Sequence, residues 1–248
     1  MANRVALVTG GASGIGKAIC LSMSREKAKV VVADINEPAM RTTAREVAAE
    51  GGQVLALSLD ITRAKDIAGA VRQATEHFGP IDILVNNAGW DRAMPFVETN
   101  EDLWDRILAL NLKGHIVVTR AVLDGMIARQ YGKIINISSD AGRVGSSGEV
   151  VYSAAKAGMI GFTKALAREM ARYNICVNCI CPGPTDTPLF AEIARDTPRL
   201  AEALIRATPM RRLARVQDIA AAAVFFASHD SDYITGQTLS ISGGLTMV

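Results

Sequence analysis

Thr9-Gly10-Gly11-Ala12-Ser13-Gly14-Ile15-Gly16 follows directly on the short apolar run 5–8 and opens into a helical pattern over 16–25. Glycines here permit a tight turn, close approach of the backbone to a pyrophosphate, and tight packing of the helix that follows. The helix start itself offers free N–H groups to an anion. A glycine pattern alone is weak evidence, but this one lies between a strand pattern and a helix pattern. Asp34 ends the next apolar run, 30–33, where a carboxylate can accept hydrogen bonds from an adenosine ribose. The competing reading of Asp34 as a plain turn residue is weaker in that context. A dinucleotide site is therefore expected, with Gly10, Ser13, Gly14, Ile15, Gly16, Asp34 and Ile35 as its candidates.

Outward from this turn, β-rich runs at 5–8, 30–33, 54–59, 83–86, 133–138, 175–181 and 238–240 alternate with helical patterns at 16–25, 38–50, 64–77, 102–129, 152–172 and 216–227. Such alternation predicts βαβ units in a parallel sheet, a single-domain α/β fold of the doubly wound Rossmann type spanning 1–248 with helices on both faces. No Gly-, Ser- or Pro-rich linker divides it. The long connection 184–213, with Pro184, Pro188, Pro198 and Pro209 around two short helical pieces, reads as a substrate lid rather than an ordinary loop.

A net charge of +2 and the absence of a basic run give no broad attraction to nucleic acid or to an anionic membrane. No apolar stretch approaches the ~18 residues needed to cross a bilayer, and a cytoplasmic protein is expected. Cys176, Cys179 and Cys181 invite a metal or redox reading, yet they lie in a run patterned as a buried strand with no second ligand pair, so no metal site is expected. His77, His115 and His229 stand apart from one another in the sequence.

Three residues separate Gly10 from Gly14, a wider spacing than in the common dinucleotide fingerprint. It resembles that of the short-chain dehydrogenase/reductase family. The resemblance recurs at Asp60-Ile61, Asn86-Asn87-Ala88-Gly89, Asn111, Ser139, Tyr152-x-x-x-Lys156, Pro182-Gly183 and Thr187. It implies that Asp60 and Ile61 meet the adenine and that Asn87, Ala88 and Gly89 line the cofactor. Pro182 and Gly183 belong to the same site, Thr185 and Thr187 hold the nicotinamide carboxamide, and Asn86 braces the sheet.

Tyr152 and Lys156 fall one turn apart on the same helix face. A free tyrosine titrates near ~10, and a neighbouring ammonium stabilises the phenolate, which predicts a lowered value and a usable proton donor and acceptor. Ser139, just past the strand at 133–138, can hydrogen-bond the substrate oxygen; Ser138 is the alternative, but the family spacing to Tyr152 favours Ser139. Asn111, inside a predicted helix, is similar to the residue that anchors a water-linked proton path to the lysine, although a kink or cap would also explain it. The implied chemistry is oxidation of a secondary alcohol or its reverse, with Tyr152 as acid/base, Lys156 holding the nicotinamide ribose, and no metal.

Asp34, with Ala12 in the turn and Ile35-Asn36 after the strand in place of any cation, predicts NAD rather than NADP. The runs 88–92, 140–149, 181–187, 234–237 and 242–247 resemble family members that act on 2-hydroxycyclohexanecarboxyl-CoA more closely than generic 3-oxoacyl-carrier-protein reductases. An acyl-CoA thioester substrate follows as the expectation, with Arg195, Arg199 and Arg206 as candidate contacts to the CoA phosphates. A 3-oxoacyl reductase, a dehydrogenase of small cyclic or sugar alcohols, and a non-catalytic nucleotide sensor are the alternatives. The resemblance also implies a homotetramer.

Overall fold

The computed structural model describes residues 1–248, apart from the side chain of Leu200. Each predicted strand run forms a strand: β1 (Val5–Thr9), β2 (Lys29–Asp34), β3 (Val54–Ser58), β4 (Ile83–Asn86), β5 (Gly132–Ile137), β6 (Ile175–Pro182) and β7 (Thr238–Ile241). All pair in parallel in one seven-stranded sheet of order β3-β2-β1-β4-β5-β6-β7. β1, β4, β5 and β6 are buried along their whole length, as strands must be when helices cover both faces. Cys176, Cys179 and Cys181 are thereby core residues of β6, free thiols enclosed by the sheet.

The helices are α1 (Gly14–Arg25), α2 (Glu37–Ala49), α3 (Ala64–Phe78), α4 (Glu101–Leu108), α5 (Gly114–Arg129), α6 (Ala141–Val144), α7 (Val150–Met170), α8 (Pro188–Asp196), α9 (Pro198–Ala207) and α10 (Val216–Ala227). One core layer joins α3, α5 and α7 to the sheet through residues such as Ile67, Val122, Met126 and Leu166. The other joins α1, α2 and α10 through Ile19, Met23, Met40 and Phe226. Strand order reverses between β1 and β4, so the connections leaving their carboxyl ends diverge to opposite faces and open a crevice.

The structure departs from the sequence reading at the helix expected over 102–129. It is broken into α4 and α5 by a π turn, Ala109–Lys113, centred on Asn111. The Asn111 Nδ2 donates to the Ile107 carbonyl at 3.0 Å, taking the acceptor that an α-helical Asn111 N–H would use. The helix predicted over 152–172 begins two residues earlier, at Val150, and ends at Met170 in a 3-10 turn, Ala171–Tyr173, and the short α6 was not visible as a periodic pattern.

Candidate active site

A cavity of about 1010 Å³ opens at the carboxyl ends of the strands. It is lined by Gly10, Ser13, Gly14, Ile15, Asp34, Ile35, Asp60, Ile61, Asn87, Ala88, Gly89, Ser139, Tyr152, Lys156, Pro182, Gly183, Thr185 and Thr187. Two candidates stand just behind its wall. Gly16 packs in the first turn of α1, where a Cβ would overlap the Gly10 carbonyl, and Asn111 is wholly buried in the π turn.

At one end the chain forms a cradle. Gly10 and Gly14 adopt φ of 65° and 51°, and a Cβ on Gly10 would come within 2.8 Å of Ala88 Cα. Ser13, the N-cap of α1, makes no side-chain cap, which leaves the first N–H groups of the helix for a ligand. Asp34 is fixed by the Ala12 N–H at 3.0 Å and the Asn36 N–H at 2.9 Å, and its remaining lone pairs are free to accept. These features fit the pyrophosphate and adenosine ribose of a dinucleotide.

Several candidates carry more of the framework than the sequence indicated. Asn87 Nδ2 donates to the Thr9 and Gly10 carbonyls at 3.0 and 3.1 Å, locking the glycine turn to the end of β4. Asp60 Oδ1 accepts from both the N–H and the hydroxyl of Thr62. Thr185 donates to the Gly183 carbonyl at 2.8 Å, and Thr187 caps α8 by accepting the Phe190 N–H at 3.1 Å. Asn86 lies beneath this site, donating to Thr119 Oγ1 and Asn136 Oδ1 at 2.9 Å each, in a buried ladder that continues to Thr163.

The other end holds Ser139, Tyr152 and Lys156. Lys156 is 3% exposed, its Nζ donates to the Ile137 carbonyl at 3.0 Å and lies 5.5 Å from the centre of the Tyr152 ring. Burial lowers its pKa to about 8. Ser138 spends its hydroxyl on the Lys156 carbonyl at 2.8 Å, whereas Ser139 accepts the Ala141 N–H at 3.1 Å and lines the cavity with Tyr152.

Tyr152 itself departs from expectation. In the protein alone its pKa is raised, by burial first and then by the carboxyls of Glu149 and Asp91, and the Ser139 hydroxyl only partly offsets them. The ammonium of Lys156 does not reverse that balance.

Sequence reasoning singled out the runs around Asp91 and Glu149 without pairing the two; two carboxyls 58 positions apart leave no local pattern. It also missed the Arg106 guanidinium stacked 3.8 Å over the Trp90 ring. Leu189, Phe190 and Ile193 of α8 and Leu204 of α9 give the cavity an apolar wall. Arg195, Arg199 and Arg206 are exposed and do not line it; Arg195 pairs with Asp196 at 3.2 Å.

A family model described as Enoyl-(Acyl carrier protein) reductase matches residues 10–246. The (2S)-[(R)-hydroxy(phenyl)methyl]succinyl-CoA dehydrogenase subunit BbsD of Thauera aromatica is 41% identical over 245 residues, covering 99% of this chain and 97% of its own. An acetoacetyl-CoA reductase of Allochromatium vinosum is 42% identical over 246 residues, covering 98% and 99%. Among solved structures, a variant of actinorhodin polyketide ketoreductase with NADPH superposes with a TM-score of 0.95 at 34% identity, over 99% of each chain.

Proposed function

The chain belongs to the short-chain dehydrogenase/reductase family, and we propose that it interconverts a secondary alcohol and a ketone on an acyl-CoA thioester with NAD(H), using Tyr152 as the acid/base. The observation that carries this reading is the convergence of Ser139, Tyr152 and Lys156 on one cavity with the glycine cradle and Asp34.

A bound nicotinamide dinucleotide supplies the hydride acceptor for oxidation and the hydride donor for reduction. Everything else falls to the chain. Ser139 fixes the substrate oxygen by a hydrogen bond, and Tyr152 takes the hydroxyl proton as the carbinol carbon loses hydride. Lys156 would hold the nicotinamide ribose and favour the phenolate, and Asn111 fixes Trp90 in the loop that lines the cavity beside it. For a ketone, Tyr152 returns the proton.

Thioester substrates are supported by the two relatives, whose names place them on CoA esters, and by the apolar wall from α8 and α9. A hydroxyacyl-CoA such as 2-hydroxycyclohexanecarboxyl-CoA is our specific candidate. Residues 184–213 act as the lid over it in this reading, with Arg195, Arg199 and Arg206 reaching the CoA phosphates only when that segment closes, and the working unit is a homotetramer. The discriminating experiment is a rate panel of hydroxyacyl-CoA esters, the corresponding free hydroxy acids and simple cyclic alcohols, each with NAD and NADP. Preference for a thioester with NAD supports the reading; turnover confined to free alcohols overturns the substrate class.

A further inference from the structure

The loop after β4 and the loop before α7 are tied together where the Met94 N–H donates to the Gly148 carbonyl at 2.9 Å. The tie brings two carboxyl groups to one place beside Tyr152. Asp91 is 5% exposed, and among the described residues neither of its carboxylate oxygens has a hydrogen-bond partner. An ionised carboxylate left so is costly, because burial strips its hydration without replacement. Glu149 lines the same small cleft, and its carboxyl acts on that of Asp91. Asp91, Glu149 and Tyr152 share a second cleft of about 10 Å³, room for a single water at most, and Glu149 and Tyr152 also line the main cavity.

We propose that Asp91 holds a proton, donates it to Glu149, and through that pair sets how readily Tyr152 gives up its own; Asp91 is a positioning residue for the proton transfer. The inference rests on the reading of Tyr152 as the acid/base. Two neighbouring carboxyls in a cleft resist ionising together, so the pair carries one negative charge until Asp91 loses its proton and two afterwards. The second charge opposes formation of the Tyr152 phenolate.

The surroundings agree with this arrangement. From α7 the pair faces Tyr152 and the Lys156 ammonium. Its own loop supplies the Arg92 N–H, and α4 brings the uncharged Leu103, Trp104 and Ile107 while its Arg106 lies over Trp90. Burial and the Glu149 carboxyl outweigh Lys156 and the Arg92 N–H and push Asp91 up to about 7.

The test compares wild type, Asp91→Asn, Glu149→Gln and Tyr152→Phe. In wild type, kcat/KM for alcohol oxidation should show an inflection near pH ~7 that both carboxyl variants lose. Their acid limb should move about one unit lower, a roughly tenfold gain in rate on that limb. A second readout needs no cofactor. Because Asp91 titrates higher folded than unfolded, its contribution to stability is present below its ordinary value of 3.8 and is lost as pH rises through about 7. The melting temperature of wild type should therefore fall relative to Asp91→Asn across that window. Superposed pH profiles and parallel melting curves, with Tyr152→Phe inactive, overturn this inference and leave the role of Tyr152 standing. An active Tyr152→Phe overturns the role itself. Should Asp91→Asn fail to fold, Glu149→Gln, on a half-buried side chain at the cavity, carries both readouts.

Discussion

Asn111 grips Trp90 by both of its backbone polar groups: its Nδ2 donates to the Trp90 carbonyl at 2.8 Å and its Oδ1 accepts the Trp90 N–H at 3.3 Å. The grip also crowds Gly89, where a Cβ would lie 2.9 Å from Asn111 Oδ1 and 3.6 Å from Lys156 Nζ. A π turn and a cavity-lining loop are thus fixed against one another by one side chain.

Asn111→Leu should expose the cost of that arrangement. It leaves the Trp90 and Ile107 backbone groups without their partner, at ~1–3 kcal/mol for each buried group left unsatisfied. Urea unfolding should show a loss of at least ~2 kcal/mol, and KM for the acyl substrate should rise because Trp90 lines the cavity. Unchanged stability would show that water replaces the amide.

Lys156→Met should trade activity for stability. The pKa of Lys156 falls from 10.5 in the open to about 8 in the fold. A base that is harder to protonate when folded penalises the folded state wherever the unfolded chain would hold the extra proton. The penalty is full below about 8 and fades as pH rises toward 10.5. Removing the amine should raise the stability of the cofactor-free protein at neutral pH by about 2 kcal/mol, after allowing for the lost bond to the Ile137 carbonyl, with no gain near pH ~10.5. Turnover should drop by at least ~10². Denaturant melts at the two pH values check the sign.

Much of this site was legible because its residues sit at fixed offsets from strand ends. The glycine turn and Asp34 follow strand ends and the Tyr152/Lys156 pair rides one helix face, so strand and helix periodicity carries them toward one edge of the sheet, whereas Asn87 and the choice of Ser139 over Ser138 came through the family resemblance. Asn111 was singled out as ill-suited to a helix interior, and its π turn explains the misfit. What stayed hidden depends on contacts between distant loops: the Asp91 to Glu149 meeting, the Arg106 stack on Trp90, and the desolvation that reverses the expected shift of Tyr152. None of these leaves a periodic trace.

Asp34 should make the enzyme prefer NAD over NADP by at least ~10² in kcat/KM. Two like charges ~4 Å apart repel by ~4 kcal/mol at an effective dielectric of ~20, and screening reduces this toward the ~2.7 kcal/mol that such a ratio represents. The carboxylate is held in place by the Ala12 and Asn36 N–H groups, so it cannot swing far from a 2′-phosphate. Steady-state kinetics with both cofactors should show the preference, and Asp34→Ala should narrow it. Equal efficiency in wild type would remove Asp34 as the selector.

The central claim is that Tyr152 moves the proton, and one comparison tests it most directly: the rate of reduced-nicotinamide formation from a hydroxyacyl-CoA by wild type and by Tyr152→Phe, alongside NADH affinity measured by fluorescence titration. The phenyl ring preserves packing and removes the transferable proton. The account predicts a fall in turnover of ~10²–10⁴ or more with NADH affinity essentially unchanged; near-normal turnover in a folded Tyr152→Phe would contradict it.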